Sequence, residues 1–299
     1  MATAQLTPVA VSIRNVLIAT DFSHCSKPAL RFGLQLRTAY NATAHIVFVL
    51  PNDPYMLAGP EAYVAARDAA RRDLEDLEAQ VKHAHGELNH DNYHLYLLEG
   101  DVADSILDFA RKQQIDLIVL GTHGRGGLPR GLLGSVAERV FRHSPVPVLT
   151  LGPGACHADR DRPPRTILVA ADFTPASRRA IRFAAGLAQE HKSSLTLLHV
   201  LDPKPLQGMP DLDAVEQGIK TRLRELLPQE CDGLHCSIRV AVGQITQRIL
   251  EIAREEAADL LVLGVRPSSG VLDRLVIPHA YEVVRDSPCP VLTLRETRT

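Results

Sequence analysis

Tryptophan is absent from this 299-residue chain, and aromatic residues make up only 4% of it. Platforms that stack the bases of single-stranded nucleic acid need aromatic side chains, so that class of function has little to build on. Neither sign of charge dominates: 33 Lys and Arg face 35 Asp and Glu, a formal net charge of −2. No global basic field therefore invites nucleic acid or an anionic membrane surface. No apolar run approaches the ~18 residues of a membrane span. The opening stretch MATAQLTPVAVSIRN lacks a basic segment followed by an apolar one, so no secretory signal is expected. Cysteine is sparse as well. Five cysteines, an odd number at irregular spacing, argue for reduced thiols and a cytoplasmic location rather than a disulfide framework.

What the chain does have is repetition. A hydrophobic content of 45% and a charged content of 23% are ordinary for a globular protein, and the length suits two domains. RNVLIATDFSHCSKPALRFGLQL near the start returns as RTILVAADFTPASRRAIRFAAGLAQ, GDVADSILDFARKQQIDLIVLG returns as GQITQRILEIAREEAADLLVLG, and SPVPVLTL returns as SPCPVLTL. A period of about half the chain means a duplicated domain rather than a solenoid. Within each copy short β-branched runs alternate with helical patterns. In the first, strands are expected at 13–20, 44–50, 93–98 and 115–120, with helices after Asp21-Phe22-Ser23 and over 61–85 and 105–113. That alternation predicts an α/β fold, each copy a five-stranded, mostly parallel sheet with helices on both faces. Residues 153–165, rich in Pro, Gly and charge, read as a linker between a first domain at 1–152 and a second at 166–299.

The stretch with most chemistry is IDLIVLGTHGRGGLPRGLLGSVAERVFRHSPVPVLTL, residues 115–151. A buried strand runs into a loop holding Gly121, Gly124, Gly126, Gly127, Gly131 and Gly134, and a helix starts near Gly134-Ser135 with Ser135 as its expected cap. Glycines bare backbone N–H groups, and those groups together with a helix N-terminus favour phosphate. Neither GxGxxG nor GxxxxGK[ST] is present. The spacing is instead Gly121, two residues, Gly124, nine residues, Gly134, Ser135.

That spacing resembles the G-2x-G-9x-G-[S/T] signature of the ATP-binding branch of the universal stress protein family, and the flanks GTHGRGG, LLGSVAERV and SPVPVLTL are similar to it too. The resemblance covers nearly the whole chain, as two copies in tandem. It implies Rossmann-like domains of the adenine nucleotide α-hydrolase type and an adenine nucleotide, ATP, as ligand, any Mg²⁺ being held with the phosphates. It implies that Asp21 contacts the adenine or ribose end, that Ala19 and Val49 sit against the base with Thr20 beside them, and that Leu120 and Gly121 line the ribose and phosphate entrance. Gly124, Gly134, Ser135 and Val136 would hold the phosphates, and Arg125 and Arg130 lie where they can neutralise charge. The second copy departs from the pattern: Gly264 matches Gly121, but Pro267, Ile277 and Pro278 replace Gly124, Gly134 and Ser135. Proline deletes a donor and isoleucine fills the approach point, so one nucleotide per chain is expected, in the first copy.

Asp21 has a second reading as the N-cap of the first helix, and Asp172 keeps the same context in a copy without the glycine cradle. His83, His85, His90 and His94 cluster, but on a helix end and a loop that do not fix metal geometry. Cys231 and Cys236 lack a matching second pair, and Cys25 near the site reads as an inert thiol. Arg67–Arg72 reads as a solvated helix face. No set of catalytic groups stands out: a nucleotide-responsive regulator is expected, with at most weak ATPase activity. A hydrolase or adenylyl-transferring enzyme is the alternative, as is a nucleotide-free dimerisation scaffold. Pro147 and Pro290 each remove a ladder donor from a last strand. Two such edges, together with the resemblance, suggest an intramolecular pseudo-dimer of the two domains, to which a homodimer can be added.

Overall fold

The computed structural model describes residues 11–24, 26–52, 59–85, 92–122, 133–155, 162–203, 212–228, 234–265 and 278–295. The chain divides into two compact units, one spanning Ile13–Leu151 and the other Gly152–Thr299. In the first unit β1 (Asn15–Ala19), α1 (Lys27–Tyr40), β2 (Thr43–Pro51), α2 (Pro60–His85), β3 (Tyr93–Gly100), α3 (Val102–Lys112), β4 (Leu117–Gly121), α4 (Ser135–His143) and β5 (Val148–Leu151) alternate. The strands lie in the order β3-β2-β1-β4-β5, and every neighbouring pair is parallel. The second unit repeats the plan with β6 (Thr166–Ala170), α5 (Pro175–His191), β7 (Ser194–Leu201), α6 (Leu212–Arg224), β8 (Cys236–Val242), α7 (Ile245–Glu255), β9 (Leu260–Val265), α8 (Pro278–Asp286) and β10 (Val291–Arg295). Its order is β8-β7-β6-β9-β10, again parallel throughout.

Strands covered on both faces read as unbroken apolar runs. Val16, Leu17 and Ile18 of β1 are fully buried, as are Ile167, Leu168 and Val169 of β6. Side chains alternate across a strand, so β2 shows which helix covers which face. Phe48 and Leu50 pack on Ala70 and Leu74 of α2. His45, on the opposite face, lies edge-on to Phe109 of α3.

Helix α1 can approach β1 only because Gly33 has no side chain: a Cβ there would sit 2.6 Å from both Cγ1 and Cδ1 of Ile18. The second unit carries Ala184 and the shorter Val169 at the corresponding positions, both fully buried.

Two aspartates set the other end of the sheets. Asp116 Oδ2 accepts from the N–H groups of Arg14 (2.7 Å) and Asn15 (2.9 Å). Asp259 Oδ2 accepts from those of Arg165 (2.7 Å) and Thr166 (3.1 Å) and from Arg162 Nη1 (3.4 Å). Each aspartate thus fixes where a first strand starts beside its neighbour. Helix α3 begins earlier than its apolar spacing suggests, because Asp101 caps it by accepting from the Asp104 N–H (2.9 Å).

Candidate functional site

In the first unit the chain runs from β1 outward to β3 and then returns to place β4 on the other side of β1. A parallel sheet opens a crevice at such a reversal, outside the carboxyl ends of its strands. Ile18 lies beside Val119, and Ala19 beside Val47. Ala19-Thr20-Asp21, Val49 and Leu120-Gly121 are therefore brought to one end of the sheet. Ala19, Asp21 and Gly121 are half-buried there. Val49 and Leu120 are buried, so only their backbone can reach a ligand.

The loop between β4 and α4 is anchored at both described ends. The Thr122 N–H donates to Leu151 O (3.0 Å), and the Gly134 N–H donates to Thr122 O (2.8 Å). The Gly134 amide, expected to face a phosphate, is committed to closing the loop instead. Ser135 is also not the cap. Gly134 takes that position at φ −60° and ψ 140°, with no side-chain cap, and Ser135 is the first helical residue. The amides of Ser135 and Val136 donate to no acceptor among the described residues. Gly124 and Arg125, as well as Arg130, lie outside the described residues. The start of α4 is held by Arg139, whose two terminal nitrogens reach Asp101 Oδ2 (2.9 Å) and Asp104 Oδ2 (2.6 Å) on α3. The Asp104 amide, with Arg139 adding to it, keeps the Asp101 carboxyl below the usual carboxylate range.

Asp21 does not cap α1. Its Oδ1 accepts from Ser23 N–H (3.0 Å) and Ser23 Oγ–H (2.6 Å), a turn closed two residues on, while the cap position of α1 falls to Ser26. Asp172 makes the same turn with Thr174 (3.1 and 2.6 Å). Phe22 and Phe173, between the two partners, both take left-handed backbone, at φ 60° and 63°. Their rings explain how such a conformation persists: Phe22 packs on Phe48 at 4.8 Å, and Phe173 lies between His199 (4.9 Å) and Arg222 (4.3 Å). Both copies thus use the aspartate in the same turn. Thr20 is buried, and its hydroxyl bonds within the same turn rather than standing at the crevice.

In the second unit the start of α5 packs directly on the end of β9. A Cβ on Gly264 would lie 2.3 Å from the Ser177 N and 2.4 Å from the Ala176 carbonyl carbon, so the first turn of α5 fills that place. Helix α8 opens with Pro278, which has no N–H to offer. Pro267 and Ile277 lie outside the described residues.

The family model for the universal stress protein family matches residues 12–151 and again residues 164–295. The chain belongs to the universal stress protein family. It carries two such domains in tandem, as do full-length relatives. Over 292 residues, 94% of this chain and 96% of the relative, it is 25% identical to a universal stress protein of Mycolicibacterium smegmatis. Over 139 residues, 46% of this chain and 81% of the relative, it is 32% identical to the universal stress protein MJ0531 of Methanocaldococcus jannaschii. A universal stress protein from Archaeoglobus fulgidus shares the fold with a TM-score of 0.74 at 20% identity, over 96% of this chain and 98% of that one.

The remaining constellations of this universal stress protein do not converge. Among the described residues no group of three His, Cys, Asp or Glu is placed to hold a metal. His94 faces His45 and Tyr96, and His90 and the side chain of His85 lie outside the described residues. Cys236 and Cys289 form no disulfide among the described residues, while Cys25, Cys156 and Cys231 lie outside them. Arg67, Arg71 and Arg72 are exposed, Arg67 pairing with Glu99 at 3.2 Å. Among the described residues no helix is long and apolar enough to cross a membrane. The sequence reading missed Asp116 and Asp259. Their signal was present, an Asp-Leu pair repeated at the start of the same strand in both copies.

Proposed function

We propose that the first universal stress domain binds ATP or a related adenine nucleotide, one per chain, and that occupancy regulates the protein's interactions in the cytoplasm. One observation carries the reading. The amides of Ser135 and Val136, which donate to no acceptor among the described residues, stand at the end of the sheet where Asp21 and Gly121 lie, and the second unit starts the matching helix with Pro278, which has no N–H. A backbone N–H bonded to a charged oxygen contributes roughly 1.5–3 kcal/mol. Two such bonds, with glycine-loop amides and base contacts added and the costs of association subtracted, are compatible with roughly micromolar affinity. The signature Gly121, Gly124, Gly134, Ser135 supports the choice of an adenine nucleotide. A Mg²⁺ ion would be bound through the phosphates, with Ser135 as the adjacent hydroxyl.

Equilibrium dialysis against labelled ATP tests the proposal. Gly134→Asp is a suitable variant, because aspartate is a good helix cap and preserves α4 while setting a carboxylate against the phosphates. Saturable binding that this variant removes is the expected result. No binding at millimolar ATP, or binding indifferent to the variant, overturns it.

A further inference from the structure

We infer that Thr20 is a positioning residue of the first-domain site: its hydroxyl ties the start of α1 to the Asp21 turn through Ser26, a link that the second domain, with the same aspartate turn but alanine at the corresponding place, lacks. The inference rests on the nucleotide reading of that site.

The hydrogen-bond chain has a defined direction. Ser26 Oγ donates to Ser23 O (3.0 Å), so its proton is spent. The contact between Thr20 Oγ1 and Ser26 Oγ (3.2 Å) must then be a donation from Thr20. Thr20 Oγ1 in turn accepts from the Phe22 N–H (3.1 Å), supporting the left-handed residue that lies inside the Asp21–Ser23 turn. A single buried hydroxyl thereby ties three successive features together: the strand end, the Asp21 turn and the helix start.

The second domain shows what happens without it. Ala171 stands in place of Thr20, and Ser177, the counterpart of Ser26, accepts directly from the Asp172 N–H (3.1 Å). The Ser177 N–H donates to Thr174 Oγ1 (3.2 Å), α5 begins at Pro175, and its first turn closes on Gly264. In the first domain Ser26 instead precedes its helix. Ser26 is drawn to Thr20 and Ser23, its backbone N–H bonds Ser23 O (3.2 Å), and α1 begins only at Lys27. Removing the Thr20 hydroxyl frees Ser26 to close on Asp21 as Ser177 does on Asp172. That shift draws the start of α1 onto the Asp21 end of the strand, where the nucleotide is proposed to sit.

The test is ATP affinity of the full chain for wild type, Thr20→Ser, Thr20→Val and Thr20→Ala. Thermal midpoints and hydrogen exchange at the Phe22 amide are read in parallel. Thr20→Ala and the isosteric Thr20→Val are expected to weaken ATP binding about tenfold and to speed exchange at Phe22, while Thr20→Ser stays within about twofold of wild type. A general loss of stability lowers the midpoint without the serine rescue of affinity. If wild type binds ATP and Thr20→Ala binds equally well, the inference alone fails. If wild type binds no ATP, the reading beneath it fails too.

Discussion

The contact between Gly33 and Ile18 gives a prediction in which the protein supplies its own control. In Gly33→Ala the new methyl would lie 2.6 Å from two carbons of a fully buried Ile18, with a third at 3.4 Å. Carbon atoms are comfortable at about 3.5–4.0 Å, so the misfit is close to 1 Å on two atoms. Overpacking of this kind costs about 1–3 kcal/mol, against which alanine regains up to about 1 kcal/mol of helix propensity. A net loss of about 1–2 kcal/mol is expected. Ile18→Val alone should cost about 0.5–1.5 kcal/mol through the cavity it leaves. The double variant removes the Cδ1 contact, one of the two at 2.6 Å, and places at these positions the residues that the second domain buries completely, Ala184 and Val169. It should therefore be more stable than the sum of the two losses, by about 1 kcal/mol or more. Urea unfolding of the four proteins measures this coupling. Additivity within about 0.5 kcal/mol would refute the claim that Ile18 is what keeps residue 33 a glycine.

Three further outcomes are expected. His45 is neutral in its buried place, its pKa held below 6.5 by desolvation and then by His94. A lowered folded-state value means the neutral form is favoured by folding, so stability is full above pH 6.5 and declines as pH falls from there toward the folded-state value. Unfolding midpoints from pH 8 to about pH 5 should show the decline in wild type and lose it in His45→Gln. Arg37 is buried with an Nε that bonds nothing, whereas the second domain has a fully buried Ala188 in its place. Replacing it with an apolar residue of similar volume, Arg37→Met, should raise stability by about 1–2 kcal/mol, and an unchanged or lower unfolding midpoint would count against that reading. Asp259→Ala strands the amides of Arg165 and Thr166 and should cost about 1.5–3 kcal/mol, which denaturant titration measures directly.

The duplication and the order of strands and helices are legible in the residues because each depends on local pattern. Unbroken runs such as Val16–Ile18 have the signature of strands covered on both faces. What escapes pattern is the choice among hydrogen bonds of similar energy. Asp21 had two acceptable uses, and only the Ser23 geometry shows that it closes a turn rather than capping a helix. Ser135 and Gly134 are adjacent, and the extended ψ of 140° at Gly134 decides which of them precedes the helix. Asp101 hid behind Gly100, so α3 was placed too late. Asp116 and Gly33 act across distances in sequence that no window spans, one on Arg14 and Asn15, the other on Ile18.

The central claim is tested most directly by the stoichiometry of ATP binding to the full chain, measured by calorimetry with the protein concentration independently known. The account predicts one site, abolished by Gly134→Asp and untouched by Gly264→Ser, provided the latter remains folded. Two equivalent sites, or one that survives the first substitution and is lost with the second, would contradict it.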